Sequence, residues 1–369
     1  MTTDQPIRLL IVGCGDVFAR HYRPALEALA DRVRIGALVD PRPGAAAVGV
    51  RTVAGWSPGA VAETDLDTAL GRMDIDAALN LTPAPLHGPI NQAILDAGLQ
   101  LYSEKPLAGS VAQADALIDT AARRGLTCLC APGSAATKRV RWLADTIASG
   151  RYGSPTLAVG HHADPGPAAW REYTGDPTPF YGDGVGPVFD HGVYRLHEMT
   201  TLLGPVRRVQ AMGSISSATR VVRGGPLTGR TIRVTTPDHV LINLEFQNGA
   251  LGQLLASFGT RATRAPWLEL HFPMATISFA GQSWEPDAPA SLYLDDDGPD
   301  AREGWLDDIE VPRDEVGVVE TGVTHFIACL RGEAAPILTA EHARHVLDIT
   351  LQAYASIADG RAHQTGTTF

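Results

Sequence analysis

Short apolar runs alternate with amphipathic stretches from the start of the chain to about Cys130. Strands are predicted at Arg8–Val12, Val33–Val39, Ala77–Leu81, Leu99–Tyr102 and Thr127–Cys130. Helical spacing fills the gaps between them, and that alternation predicts a parallel α/β sheet. The helix after Ser110 carries Val111, Ala114, Leu117, Ile118 and Ala121 on its predicted buried side. It opens with the capping box Ser110-x-x-Gln113 and closes at Gly125, as Gly98 closes the helix before it. Past Pro132 the pattern changes. A helix near 140–149 leads to a strand at Thr156–His162 and a loop rich in Gly and Pro. After a helix over about 188–203 come strand patterns at Arg207–Ile215, Thr231–Thr235, His239–Phe246, Ala250–Phe258, Leu268–Phe272 and Thr276–Phe279. Asn248-Gly249 marks a hairpin between two of them. The expected architecture is an α/β domain over 1–131 and an α+β domain over 132–369, the latter with a large open, mainly antiparallel sheet. The closing helix is placed to pack back near the first domain. Segments "GGPLTGR" and "LDDDGPD" read as solvated loops, and His342 and His345 as solvated positions on the last long helix.

Composition narrows the class. The 369 residues exceed the ~250–300 at which a single core stops growing, which agrees with two domains. No apolar stretch reaches the ~18 residues of a membrane span. "IRLLIVGCGD" begins at Ile7 and reads as a first strand, not a secretory leader. Cys14, Cys128, Cys130 and Cys329 form no CxxC pair, which suits a reducing cytoplasm. A net charge of −11 excludes a basic nucleic-acid surface and leaves a small-molecule ligand open. The class is a soluble cytoplasmic enzyme or ligand-binding protein.

Gly13-x-Gly15 leaves the first strand and enters a helix, the arrangement a dinucleotide pyrophosphate needs: a tight turn, close backbone approach and a helix N-terminus. Phe18 stands where a third glycine is usual. Asp40 ends strand two, where a carboxylate accepts adenine-ribose hydroxyls and favours NAD; Arg42, two residues on, keeps NADP possible. Leu81, Thr82 and Pro83 break the Ala77–Leu81 strand at its carboxyl edge, where ligands of open α/β sheets bind, and His87 opens the next helix among the cofactor's surroundings. Pro83 is followed by a helix burying Ile90, Ala93, Ile94 and Ala97. Only two lysines occur among the 30 basic residues, and one, Lys105, follows Glu104 where an apolar run stops.

In "GDGVGPVFDHGVYRLHEMTTLLG", a uniform α-helix from Val188 places Asp190, Tyr194 and His197 within an arc of ~60°. Phe189, Val193, Leu196, Thr200 and Leu203 form an adjacent apolar ridge. Gly184, Gly186 and Gly192 leave room for a ligand or the other domain. His161 and His162 end a strand and face opposite sides, so one of them, taken as His162, meets substrate. Trp170, Arg171 and Tyr173 lie on a loop that packs on the surface, with Trp170 able to reach substrate. No cluster has metal-ligand spacing, and no metal is expected.

"VGCGDVFARH", "LTPAPLH" and "SEKPLA", in this order, resemble the Gfo/Idh/MocA oxidoreductase family, and "YASIADGR" is similar to its closing helix. The resemblance implies an N-terminal Rossmann domain holding NAD or NADP, with cofactor contacts from Gly13, Gly15, Asp16, Val17, Asp40, Arg42, Leu81, Thr82, Pro83, His87, Glu104 and Lys105. It implies that Lys105 reaches both the nicotinamide ribose and a substrate hydroxyl, and that the Lys105–Pro106 bond is cis. The family's Asp-x-Gly-x-His-x-x-Asp pattern is met by Asp190 and Gly192, with Tyr194 in the His position and His197 in the final Asp position. Tyr194 resembles the glucose–fructose oxidoreductase and dihydrodiol dehydrogenase branches; His197 removes a carboxylate expected for inositol-type substrates. The implied activity is hydride transfer between nicotinamide and a hydroxyl or keto group of a sugar, polyol, cyclitol or related cyclic compound, in a homodimer or homotetramer formed through the open sheet. Lys105, Tyr194 and Asp190 are the catalytic residues; His197, Asp190, His162 and Trp170 are the substrate-binding residues. The alternatives are redox-assisted glycoside cleavage or elimination, and a non-catalytic dinucleotide or sugar sensor.

Overall fold

The computed structural model describes residues 5–72, 74–182, 184–281, 289–295 and 303–369. The chain forms two compact units: residues 1–136 with 318–347, and residues 137–317 with 348–369. Among the described residues the first unit holds one parallel sheet of strands β1 (Ile7–Val12), β2 (Val33–Val39), β3 (Val61–Glu63), β4 (Ala77–Asn80), β5 (Gln100–Ser103) and β6 (Cys128–Cys130). Their spatial order is β3-β2-β1-β4-β5-β6, so the order reverses beside β1, the topological position where α/β sheets bind ligands. β1 and β4 are buried along nearly their whole length, as strands covered by helices on both faces must be. The apolar core joins Leu9, Ile11, Leu26, Leu79 and Tyr102 to Val323, Phe326 and Ile327 of the helix Val318–Leu330.

Local signals explain most of these elements. The helix Val111–Arg124 starts where the Ser110 hydroxyl accepts the N–H of Gln113 at 3.3 Å and stops at Gly125 with φ +64°. Gln113 Oε1 accepts from the N–H of Gly109, one residue before the position a reciprocal capping box would use. In the helix His87–Asp96 the buried side carries Asn91, Ile94 and Leu95, while Ala97 is exposed, contrary to the spacing argument. A buried hydrogen-bond network selects Asn91 there. Two further histidines depart from expectation: His342 and His345, on the first turns of the helix Ala340–Asp359, are buried. Burial pushes His342 down to about 3, with His345 adding to the shift.

The second unit is built on a mixed, mostly antiparallel sheet. It takes β7 (Leu157–Ala163), β8 (Val206–Ser214), β11 (His239–Phe246), β12 (Leu251–Ser257), β13 (Leu268–His271), β14 (Ala275–Phe279), β15 (Ala290–Asp295), β16 (Glu303–Leu306) and β17 (His363–Gln364). The described strands run β16-β15-β14-β13-β7-β12-β11-β8-β17, with β7 and β12 parallel and the remaining pairs antiparallel. β9 (Thr219–Val221) and β10 (Thr231–Arg233) form a separate two-stranded ribbon, so the strand pattern near 231 does not join the large sheet. "GGPLTGR" lies between them and is only partly solvated. A Cβ on Gly224 would come within 2.4 Å of the Arg171 carbonyl, and one on Gly225 within 2.3 Å of the Tyr173 carbonyl. Those two glycines bring the ribbon's tip onto the backbone of the Trp170 loop. "LDDDGPD" falls mostly outside the described residues.

The segment 188–203 folds in two parts. Val188–Gly192 is a π-helical turn, and an α-helix follows over Val193–Leu203. The α-helix is buried nearly all round instead of on one ridge, with Arg195 and Glu198 forming an ion pair inside. Gly160 on β7 makes this possible, since a Cβ there would meet Met199 Sδ at 3.2 Å.

Candidate functional site

In the first unit the predicted cofactor residues gather at the carboxyl ends of β1, β2, β4 and β5. Gly13 has φ +98°, and a Cβ on it would lie 2.8 Å from the Leu81 carbonyl oxygen. That glycine therefore serves the close packing of the β1 and β4 ends. At Gly15 nothing lies within 4 Å of a built Cβ, the open space a pyrophosphate approach requires. Asp16 follows, accepting from Arg20 Nε at 2.6 Å, and Val17 caps a π-helical turn over Phe18–Tyr22. Phe18 is buried in the core, which accounts for a large side chain at the third glycine position.

Asp40 is buried and heavily engaged. Its Oδ2 accepts the Cys14 N–H at 3.0 Å, and its Oδ1 accepts the Arg42 N–H at 3.0 Å. The Arg42 guanidinium adds a fork, Nε to Oδ1 at 2.9 Å and Nη2 to Oδ2 at 2.7 Å. Burial pushes this carboxyl up, but the Arg42 fork and the two N–H donors outweigh it and hold it below the usual range. Burial, with the Asp40 charge beside it, pushes the Cys14 thiol up to about 12, which removes it as a nucleophile.

A buried polar network fixes the turns after β4 and β5. Asn80 Nδ2 donates to Asn91 Oδ1 at 2.8 Å, and Asn91 Nδ2 donates to Ser103 Oγ and the Leu107 carbonyl, both at 2.9 Å. Asn80 Oδ1 accepts the Thr82 N–H at 3.2 Å and the Thr82 hydroxyl at 2.6 Å. The His87 ring spans the Thr82 and Pro106 carbonyls, at 2.7 Å and 2.6 Å. Glu104 is held by the Tyr22 hydroxyl at 2.7 Å and accepts the Lys105 N–H at 3.0 Å. The Lys105–Pro106 peptide is cis. Lys105 thus leaves a backbone fixed on both sides. Asn80, Asn91 and Ser103 were not singled out by sequence, although three polar residues at apolar strand and helix positions were the available signal.

In the second unit three predicted residues, His162, Trp170 and Asp190, surround one that was not predicted, His191. The ring of His191 stacks on His162 (centroids 4.2 Å, 22°) and on Trp170 (5.3 Å, 21°), with Phe258 edge-on at 5.2 Å. His162 is in turn tilted against the Tyr194 ring at 5.9 Å. Nδ1 of His191 lies 3.2 Å from Asp164 Oδ2, and Nε2 lies 3.3 Å from Asp190 Oδ2. Burial pushes Asp164 up, the Asp190 charge adds to this, and His191 and the Gly166 N–H oppose it. His161 points to the other sheet face, where its Nδ1 meets the Pro266 carbonyl at 2.8 Å. His197 is buried one turn further along the helix. Trp170 is a packed part of this array as well as a loop residue, and Tyr173 meets its edge at 6.0 Å.

The π turn explains why His191 escaped prediction. A uniform α-helix points residue 191 away from the stripe of Asp190 and Tyr194, whereas the wider turn changes every direction before Val193. Asp164, two residues after His162 and just past the end of β7, had a readable signal in "HHAD". The glycines expected to make room for ligand serve the protein instead. Gly186 admits the Tyr354 hydroxyl, 2.6 Å from a built Cβ, and Gly192 abuts Ala256 at 3.2 Å; Gly184 alone of the three faces open space.

His162, Asp164 and His191 offer ligand atoms within 4.8 Å of one another. A bound ion sits about 2.0–2.1 Å from an imidazole nitrogen, near the plane of its ring. Two rings stacked nearly parallel at 4.2 Å share no such point. The cluster is a ring stack with two carboxylates at ion-pair distance, an arrangement that does not fit a chelate.

Among the described residues no helix is long and apolar enough to cross a membrane. Residues 7–131 match the family model described as oxidoreductase family, NAD-binding Rossmann fold, and residues 140–278 match the GFO/IDH/MocA C-terminal domain. Inositol 2-dehydrogenase of Leifsonia xyli subsp. xyli is 32% identical over 114 residues, 31% of this chain and 32% of that protein, so the chain spans about a third of that relative. D-xylose 1-dehydrogenase (NADP(+)) of Haloarcula marismortui is 22% identical over 92% of this chain and 88% of that protein. The solved structure of levoglucosan dehydrogenase in complex with NADH and L-sorbose superposes with TM-score 0.80 at 18% identity, covering 98% of this chain and 100% of that one, a likeness of fold. The two family models together account for both units' central parts, and the chain belongs to the Gfo/Idh/MocA oxidoreductase family, with its NAD-binding Rossmann domain at the N-terminus.

Proposed function

We propose that this protein transfers a hydride between a nicotinamide dinucleotide and a hydroxyl or keto carbon of a sugar, polyol or related cyclic compound, with Lys105 and Tyr194 handling the proton. The observation that carries this reading is the fixed turn at the end of β5. Tyr22 and the Lys105 N–H lock Glu104, and the Asn80–Asn91–Ser103 network locks the neighbouring turn. A buried network that is fully satisfied specifies one geometry, as a catalytic ammonium requires. Bound nicotinamide supplies the hydride acceptor or donor. Gly15 admits the pyrophosphate, and Asp40 receives the adenine ribose once Arg42 releases it.

The protein's own groups do the rest. In oxidation the substrate hydroxyl gives its proton to Tyr194 as the carbon loses its hydride. A free phenol, pKa about 10, is a weak base at neutral pH, and a nearby ammonium favours its phenolate form. Lys105 supplies that charge while donating to the reacting oxygen. In reduction Tyr194 returns the proton to the alkoxide. Asp190 orients a neighbouring hydroxyl, and His162, His197 and Trp170 shape the pocket. Relatives named for inositol, xylose and levoglucosan support a carbohydrate-like substrate, and His197 in place of a carboxylate disfavours inositols.

Free thiols at all four cysteines support a cytoplasmic setting. Exposed Met212 and Leu241, paired across β8 and β11, support a homodimer or homotetramer through that sheet face. The test is a panel of sugars, cyclitols and ketones with both nicotinamides, read at the cofactor's absorbance, with product analysis for redox-neutral cleavage. Lys105→Met is expected to abolish turnover while dinucleotide binding persists. Undiminished turnover in that variant rejects the assignment.

A further inference from the structure

The ribbon of β9 and β10 stands apart from the large sheet, and a two-stranded hairpin by itself is marginal in water. A small apolar core of its own steadies it. Val222, Ile232 and Val234 bury against Ala168, Tyr181 and Phe258. Tyr181 is fully buried there, its ring tilted against that of Phe258 at 5.6 Å. Polar groups join the same parts. Ala168, also buried, donates its N–H to the Tyr181 hydroxyl at 3.1 Å and accepts the Arg223 N–H on its carbonyl at 2.7 Å. The Tyr181 carbonyl accepts the Thr235 N–H at 2.9 Å, and Arg230 reaches Asp176 at 3.2 Å. The ribbon's tip closes on the chain beyond Ala168. A Cβ on Gly224 would come within 2.5 Å of the Trp170 carbonyl oxygen, and Gly225, with φ +67°, abuts the Tyr173 carbonyl. Backbone contacts therefore hold the loop before and after Trp170, whose half-buried ring lies on His191 at 5.3 Å. Phe258, from the same small core, meets the edge of that His191 ring at 5.2 Å. One body of packing touches both the loop that carries Trp170 and the ring on which Trp170 rests.

We propose that the β9–β10 ribbon and Tyr181 are the specificity-setting support of the pocket: they fix the loop 166–173 at Ala168 and at the carbonyls beyond it, and so decide where the Trp170 ring stands. Tyr181 is a positioning residue, working through the loop and not through a contact of its own with substrate. The proposal rests on the reading of Trp170 as a substrate-binding residue and adds the element that places it.

Tyr181→Phe keeps the ring in the small core and removes the oxygen that accepts the Ala168 N–H, leaving a buried donor without that partner. Two measurements follow. The fluorescence of Trp170 is isolated, with and without Tyr181→Phe, as the emission lost on adding Trp170→Phe. Tyr181→Phe is expected to shift that emission and open it to acrylamide quenching. Turnover is followed with both nicotinamides on D-xylose and D-glucose, which differ by one hydroxymethyl group. Tyr181→Phe is expected to raise the sugar KM on the order of 3- to 30-fold, the scale of one unmade buried hydrogen bond. The ratio of kcat/KM between the two sugars should change, while the dinucleotide KM stays within about twofold. Adding Tyr181→Phe to Trp170→Phe should cost no more than Trp170→Phe by itself, because one acts through the other. Should Tyr181→Phe not fold, Gly225→Ala pushes the ribbon's tip off the Tyr173 carbonyl and is expected to act in the same direction. The emission measurement needs no substrate, so wild-type emission in the folded variant overturns the proposal by itself. A wild-type preference between the sugars, where Trp170→Phe alters it, overturns it too, as do losses that multiply in the double variant. Wild-type kinetics in Trp170→Phe, with the emission moved by Tyr181→Phe, sinks the reading of Trp170 and leaves the support of the loop standing.

Discussion

Removing Glu198 should destabilise the protein far more than removing it together with its partner. Arg195 is fully buried and Glu198 nearly so, and the two form an ion pair within one helical turn. The Arg195 guanidinium lies 4.3 Å above the Trp267 ring, and Arg139 approaches the same ring at 5.7 Å. Burial pushes Glu198 up, against the pull of Arg195 and Arg139. Burial likewise pushes Arg195 down, against the pull of Glu198. Both partners are driven toward their neutral forms, so desolvation outweighs their attraction. Glu198→Ala strands a guanidinium in the interior and should cost about 3–5 kcal/mol. For a unit of this size that corresponds to a fall of roughly 6–20 °C in melting temperature. Arg195→Met with Glu198→Leu keeps volume and apolar contact with Trp267, and should be neutral or stabilising by about 1–4 kcal/mol. Urea unfolding followed by tryptophan fluorescence, with matched thermal scans, measures both. If Glu198→Ala melts with the wild type, or the double replacement falls as far as the single one, the reasoning is wrong.

Arg42→Ala leaves two of the four acceptor positions on Asp40 open and removes a guanidinium that would otherwise meet a 2′-phosphate, so NAD should bind more tightly and NADP more weakly by calorimetry; unchanged affinity for both rejects this account. Gly224→Ala places a methyl about 2.4 Å from the Arg171 carbonyl and must displace the Trp170 loop; a rise in substrate KM with kcat less affected is expected, and wild-type kinetics would count against it. His342, held down to about 3 by burial, binds protons more readily unfolded than folded. Its contribution is therefore present above the ordinary histidine range near 6.5 and lost as pH falls from there toward 3, by roughly 5 kcal/mol at most at 1.36 kcal/mol per unit. His342→Leu should flatten that acid limb of the urea midpoint, and an unchanged limb would refute the assignment.

Strand positions in both units were legible because the mostly apolar run Ile7–Val12 has few other ways to be buried and His239–Phe246 buries alternate residues. Val61–Glu63 was not, since three residues give no period to read. The places of Gly13, Gly15, Asp40 and Lys105 just beyond strand ends were legible because the apolar runs before them were. The partners that hold them were hidden. Asn91 and Glu198 are buried off the apolar faces that the spacing predicts, and only the tertiary hydrogen bond or ion pair explains them. His342 and His345 looked solvated for the same reason, as polar letters on a helix whose burial is decided by its neighbours.

The π turn at Val188–Gly192 has an evolutionary consequence. Such a turn holds one residue more than an α-turn of the same rise, so its function depends on chain length as much as on residue identity. Deleting a single residue there could preserve Asp190, His191 and Tyr194 by name yet swing the aspartate about 100° relative to the tyrosine. Length variation at this point would therefore rearrange the proposed pocket without altering any of the side chains proposed to line it.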